Sequence, residues 1–168
     1  MQQRTADYWI KQLQLSTHVE GGAFREIYRS SLIVPAGALP HAFQGDRNFN
    51  TAIYFLLQKN QFSAFHRIKS DEQWHFYYGD PLIIYEIDPK GQLLQHRLGN
   101  DPDKEETFQC VVKAGNWFAA RVAEGGSYVL TGCTVSPGFD FADFELAVRD
   151  TLVATYPQHT DLINALTI

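Results

Sequence analysis

Cysteine is scarce in this 168-residue chain, and the two present, Cys110 and Cys133, stand too far apart for a Cys-x-x-Cys pair. That argues against a zinc knuckle, a dithiol redox motif or a disulfide-stapled scaffold. No run approaches roughly eighteen consecutive apolar residues. Met1 to Thr5 is polar with no apolar segment behind it, so neither a membrane span nor a secretory leader is expected, and a cytoplasmic location is. Lysine and arginine never gather into a run, and the net charge of -5 and sequence pI near 5.6 lack the basic footprint of a nucleic-acid binder. Neither nucleic acid nor membrane is an expected partner.

Aromatic residues, in contrast, are plentiful: twelve Phe, eight Tyr and three Trp, 14% of the chain, against a single Met. Rings favour strands and the walls of pockets. With 45% hydrophobic and 20% charged residues over this length, one folded domain spanning residues 1–168 is expected. Thr5 followed by Ala6 to Leu13 reads as an N-capped helix ending near Leu15. Glu20-Gly21-Gly22 reads as a backbone turn opening a strand in which Phe24, Glu26 and Tyr28 alternate against Arg25, Ile27 and Arg29. Pro35 to Phe49 reads as a loop. From Asn50 to Val135, short strand signals alternate with turn chemistry such as Gly79-Asp80-Pro81 and Asp88-Pro89-Lys90-Gly91, without intervening helices. That rhythm predicts an all-β antiparallel jelly roll rather than βαβ units. Phe141 to Tyr156 is expected to be helical, with Phe144, Leu146 or Ala147, and Val148 as core positions. A last short helix over Leu162 to Leu166 is expected, and both are expected to pack outside the barrel.

The densest cluster of chemistry-bearing residues joins two predicted strands, from Phe62 to Gly79. Strand alternation places His66 with Ala64 and Ile68, and Glu72 with Trp74 and Phe76, on faces that are mostly apolar and therefore inward. A buried carboxylate needs a donor, a cation or a ligand, so Glu72 marks an interior site. His75, three positions after Glu72, falls on the opposite face of a regular strand, and only a bulge would bring it inward.

These residues resemble the first conserved motif of the cupin superfamily, in which a Gly follows a Glu by seven positions, as Gly79 follows Glu72. In that pattern His66 takes the place of the first metal-binding His, while Ile68 and Phe118 stand where two further His ligands would be. Lys113-Ala114-Gly115-Asn116-Trp117-Phe118 echoes the second cupin motif. Four ordered strings carry a tighter resemblance, to the cupin subfamily catalogued as DUF985, or Cupin_5. They are His18 to Glu26, Phe65 to Tyr77, Ala114 to Ala120 and Gly132 to Phe141. The resemblance implies a double-stranded β-helix, or jelly-roll, barrel with short flanking helices at both ends, and commonly a homodimer. A leading strand from Phe24 to Val34 could add to a partner's sheet edge.

Three functions stay open. The first is small-molecule binding, of a carbohydrate-like or planar heterocyclic ligand, in a pocket containing His66, Glu72, Trp74, His75, Phe76, Phe118 and Tyr28. The second rests on the similarity of Ala64-Phe65-His66-Arg67 to the base-carrying strand of metal-independent nucleotide-sugar epimerases. It implies an isomerase in which His66 and Glu72 move a proton and Tyr54 or Tyr28 returns one. The third, a metal-dependent oxygenase or isomerase, ranks last, because His66 and Glu72 fall short of three or four ligands. No metal or other cofactor is expected.

Overall fold

The computed structural model describes residues 4–168. Thr5 caps the first helix as its sequence predicts: its Oγ1 accepts from the Tyr8 amide at 3.2 Å, and α1 runs Ala6–Leu13. The strands are β1 (Ser16–Thr17), β2 (Ala23–Arg29), β3 (Ile33–Val34), β4 (Arg47–Asn48), β5 (Thr51–Gln58), β6 (Phe62–Arg67), β7 (Asp71–Gly79), β8 (Leu82–Ile87), β9 (Leu93–Leu98), β10 (Gln109–Val112), β11 (Trp117–Val122), β12 (Tyr128–Ser136) and β13 (Glu145–Leu146). Helices α2 (Arg149–Thr155) and α3 (Thr160–Ala165) follow.

Two antiparallel sheets face each other, in the orders β1-β2-β5-β12-β7-β10 and β13-β6-β11-β8-β9. They remain separate ladders, so the jelly roll is a pair of opposed sheets rather than a continuously hydrogen-bonded barrel. Alternation sends Phe55, Leu57, Trp74, Leu82, Ile84, Phe118, Val129 and Cys133 into the layer between them. Strand β8 is buried at all six positions because its other face, with Ile83, Tyr85 and Ile87, packs with Phe65 and Ala119 against Leu152, Ile163 and Leu166 of the C-terminal segment. Helix α1 lays Trp9, Ile10 and Leu13 on Leu56, Tyr128 and Leu130, on the outside of the first sheet.

Two segments depart from the sequence reading. The expected helix over Phe141 to Tyr156 begins only at Arg149. Before it, the Asp140 side chain caps the Ala142 amide in a single 3-10 turn, and Glu145–Leu146 then pair with β6. Sheet pairing overrides helix propensity here because both backbone groups of Phe65 are available: its carbonyl accepts from Ala147 N and its amide donates to Leu166 O, each at 2.8 Å. Ala147 is buried as expected, whereas Val148 is exposed. Across the predicted loop, β3 just before it and β4 near its end form a short ladder that delivers Arg47 into the protein. There Arg47 forks onto Asp143 through Nε and Nη2, at 2.6 and 2.7 Å, pinning the turn after β12.

Candidate functional site

A cavity of about 250 Å³ lies toward one end of the space between the sheets, walled by β2, β5, β6, β7 and β12 and covered by the Phe139 to Phe144 turn. It is bordered by the exposed residues Glu26, Arg29, Asp140 and Phe141, which mark where it opens.

His66 and Glu72 both line it, on the inward faces that alternation assigns them. Trp74 lines it too, and its indole Nε1 is the buried side-chain nitrogen left without a hydrogen-bond partner among the described residues. Phe118 sits behind the site, its ring 4.0 Å from the imidazole of His66, and Phe76 packs into the interior cluster without lining the cavity. The structure does not bring the other named residues there. Tyr54 alternates with Phe55 and lies on the outer face of β5, 5.9 Å from the Tyr77 ring. His75 lies on the outer face of β7, stacked on Tyr77 and hydrogen-bonded to Thr134 Oγ1 at 3.0 Å. Tyr28 is 53% exposed. The cause is a register shift between Glu26 and Tyr28, which breaks the alternation of β2 and brings Arg29 to the cavity's edge instead.

Sequence reasoning missed Glu20, which it read as part of a simple turn. Gly21 has φ +110° and lies so close to Phe62 O that any Cβ would collide with it, while Gly22, at φ +74°, lies against Leu56 and Leu57. The glycine pair thus presses the turn onto β5 and β6, where Glu20 O accepts from Ala64 N at 2.8 Å. Its side chain enters the cavity wall, 7% exposed, where Ser63 Oγ donates to Oε1 at 2.7 Å. Oε2 lies 3.2 Å from His66 Nε2 and 3.5 Å from His18 Nδ1. One signal was available in the sequence: His18, Glu20, Gly22 and Phe24 share a two-residue spacing, placing polar groups in line with a wall residue.

The hydrogen bonds define the proton inventory. His66 Nδ1 lies 2.7 Å from Ala64 O, and a carbonyl only accepts, so Nδ1 carries a proton. Nε2 is then the unprotonated nitrogen of the neutral ring, and Glu20 Oε2 approaches it to 3.2 Å. Burial lowers His66 to about 4, so the ring is neutral at neutral pH, and burial raises Glu20 from its ordinary value. His18 is also lowered by burial, against the pull of Glu20. Glu72 is raised to about 8, first by burial and then by the adjacent Glu20, and the thiol of Cys133 is its side-chain partner.

This donor set does not fit a metal. Ile68 and Phe118 occupy two positions that bear His in the metal-binding cupin pattern, and the Nε2 lone pair of His66 faces Glu20. Among the described residues no three of His, Cys, Asp and Glu converge as a ligand group.

Opposed jelly-roll sheets with a His/Glu cavity between them define a cupin. The chain belongs to the Cupin_5 family, described as "Cupin superfamily (DUF985)", whose model matches residues 7–147. It is 41% identical to protein SO0799 from Shewanella oneidensis, with TM-score 0.88 and 99% of each chain covered. It is 35% identical to a hypothetical protein from Leishmania major, with TM-score 0.89 over 98% of this chain and 99% of that one. Oxalate decarboxylase from Bacillus subtilis shares the fold at 16% identity and TM-score 0.53, over 89% of this chain and 36% of that one. No curated protein matches the sequence. No helix among the described residues is long and apolar enough to cross a membrane.

Proposed function

We propose that the chain binds a small organic molecule in this cavity, its body lying on the aromatic wall and its polar groups meeting Glu72 and the His66–Glu20 pair. One observation carries this reading: Glu72 lines the cavity at 8% exposure, with a thiol, a weak donor, as its partner. A carboxyl removed from water without strong donors is costly, and a ligand donor would offset that cost. Phe24, Phe55 and Trp74 supply flat apolar surface for a carbohydrate-like or planar heterocyclic ring.

Proton chemistry without a metal is a second reading, supported by the close approach of Glu20 to His66 in the cavity wall. In this arrangement Ala64 O fixes the imidazole tautomer and leaves Nε2 as the base, and Glu72 replaces Tyr54 as the acid facing the cavity. Wash-in of deuterium next to a carbonyl of a bound compound, absent in His66→Ala, is the readout for it.

Binding itself is tested by native mass spectrometry for a retained molecule, together with ligand-observed NMR on a fragment set. Hits should compete with one another and disappear in Ile53→Trp, which fills the cavity from its wall. Binding that survives in that folded variant would place the ligand elsewhere.

A further inference from the structure

Acidic residues outnumber basic ones around the cavity. Glu20, Glu26, Glu72 and Asp140 line it, and Arg29 is the one lysine or arginine among the described lining residues. Arg29 is already committed: Nε and Nη2 fork onto Glu26 at 3.0 and 2.7 Å, while Nη1 donates to Asn48 Oδ1 and Phe139 O at 2.9 and 3.1 Å. An entering phosphate or carboxylate finds no spare guanidinium, and both lining histidines are neutral for the reasons above. Meanwhile Glu72 lacks a charged partner, and the aromatic faces beside it suit positive charge.

We propose, building on the cavity-binding reading, that the ligand is a small organic cation, an amine or amidine whose nitrogen pairs with Glu72 while its body lies on the Phe24, Phe55 and Trp74 wall. Water occupies about 30 Å³ per molecule, so the cavity has room for roughly eight waters, or one substituted ring. The titratable groups acting on Glu72 are Glu20 from the turn before β2, Cys133 on β12 and Cys110 on β10, and the neutral His18 and His66 share its cavity. None offers a compensating cation, so the ligand supplies it. With Glu72 protonated up to about pH 8, cation binding ionises it and expels its proton. The same asymmetry argues against an anionic nucleotide sugar as the substrate.

A matched series of single-ring probes tests this: benzylamine, benzyl alcohol and benzoate, titrated calorimetrically into the full chain at pH 7. Benzylamine should bind at least about tenfold more tightly than benzyl alcohol, and benzoate most weakly of the three. Comparing buffers of different ionisation heat should show about one proton released per amine bound. Glu72→Gln should abolish the amine's advantage and the proton release while leaving alcohol binding in place. If that variant fails to fold, the wild-type ranking and proton count decide alone. Alcohol or benzoate binding as well as the amine would overturn the cation inference and leave the binding cavity standing. Failure of all three at 10 mM, on the order of the weakest affinities calorimetry resolves, would overturn both.

Discussion

His66 Nε2 and Glu20 Oε2, 46 positions apart in the chain, meet at 3.2 Å as a pair of buried groups. Removing the carboxyl leaves the imidazole nitrogen and the Ser63 hydroxyl without a partner, at a cost of about 1–3 kcal/mol. For a domain of this size Glu20→Ala should therefore lower Tm by about 2–12 °C. Glu20→Gln, whose amide can still donate to Nε2, should lose less. Imidazole ¹⁵N spectra should show His66 in the Nδ1–H tautomer at pH 7. Unchanged melting and spectra in Glu20→Ala would refute the pairing.

Stability should fall as pH rises from about 6.5 to 8. Folded Glu72 keeps its proton to about 8, whereas an unfolded Glu loses it near 4.5, so between those values the native state holds the extra proton and loses stability with rising pH. His66 acts oppositely: folded near 4 and unfolded near 6.5, it gains stability with rising pH inside that window and then stops contributing. The two oppose each other from 4.5 to 6.5, and Glu72 acts without that opposition above it, at up to about 1.4 kcal/mol per pH unit. Thermal melts across pH 6.5–8.5 should show the slope, and Glu72→Gln should flatten it. A wild-type Tm that climbs over this range would contradict the burial of Glu72.

Arg47→Met should be among the most damaging single changes away from the cavity. It strands Asp143, 6% exposed, with Lys69 Nζ at 3.2 Å as its remaining cation. Breaking one side of a buried pair costs about 3–5 kcal/mol, or about 6–20 °C in Tm here. Arg47→Met combined with Asp143→Leu should recover most of that loss; a double variant no better than the single would mean that packing, not charge, dominates.

A homodimer is the expected oligomer. Strand β2 pairs with β5 along one edge, but on the other β1 reaches only Ala23 and Phe24, leaving the stretch to Arg29 without a strand neighbour among the described residues. Sedimentation equilibrium at micromolar concentration should give twice the 19.1 kDa chain mass. A monomer there would count against edge pairing.

The succession of strands from Thr51 to Val135 was legible because turn residues punctuate it and alternation decides which side chains face inward. That rule placed His66, Glu72 and Trp74 at the cavity and His75 away from it. Applied strictly to β5 it also favours Phe55 over Tyr54, so choosing Tyr54 set phenol chemistry above parity. The rule fails where the ladder is irregular: the shift in β2 exchanges Tyr28 for Arg29. Glu20 stayed hidden because its role depends on two glycines docking one turn against a strand forty residues later, a tertiary contact without local periodicity. Residues 141–148 misled for a similar reason, since the open edge of β6 lies far away in sequence.

That edge also sets a timetable. The two backbone groups of Phe65, beside His66, are completed by Ala147 and Leu166. A ribosome adding roughly 5–20 residues per second needs about 5–20 s to synthesise the 100 residues from His66 to Leu166. Until then the strand bearing the imidazole has an unpaired border, and the pocket cannot mature before Leu166 has been made. Nascent copies therefore spend that interval with a sticky edge, the period in which a holding chaperone would matter most.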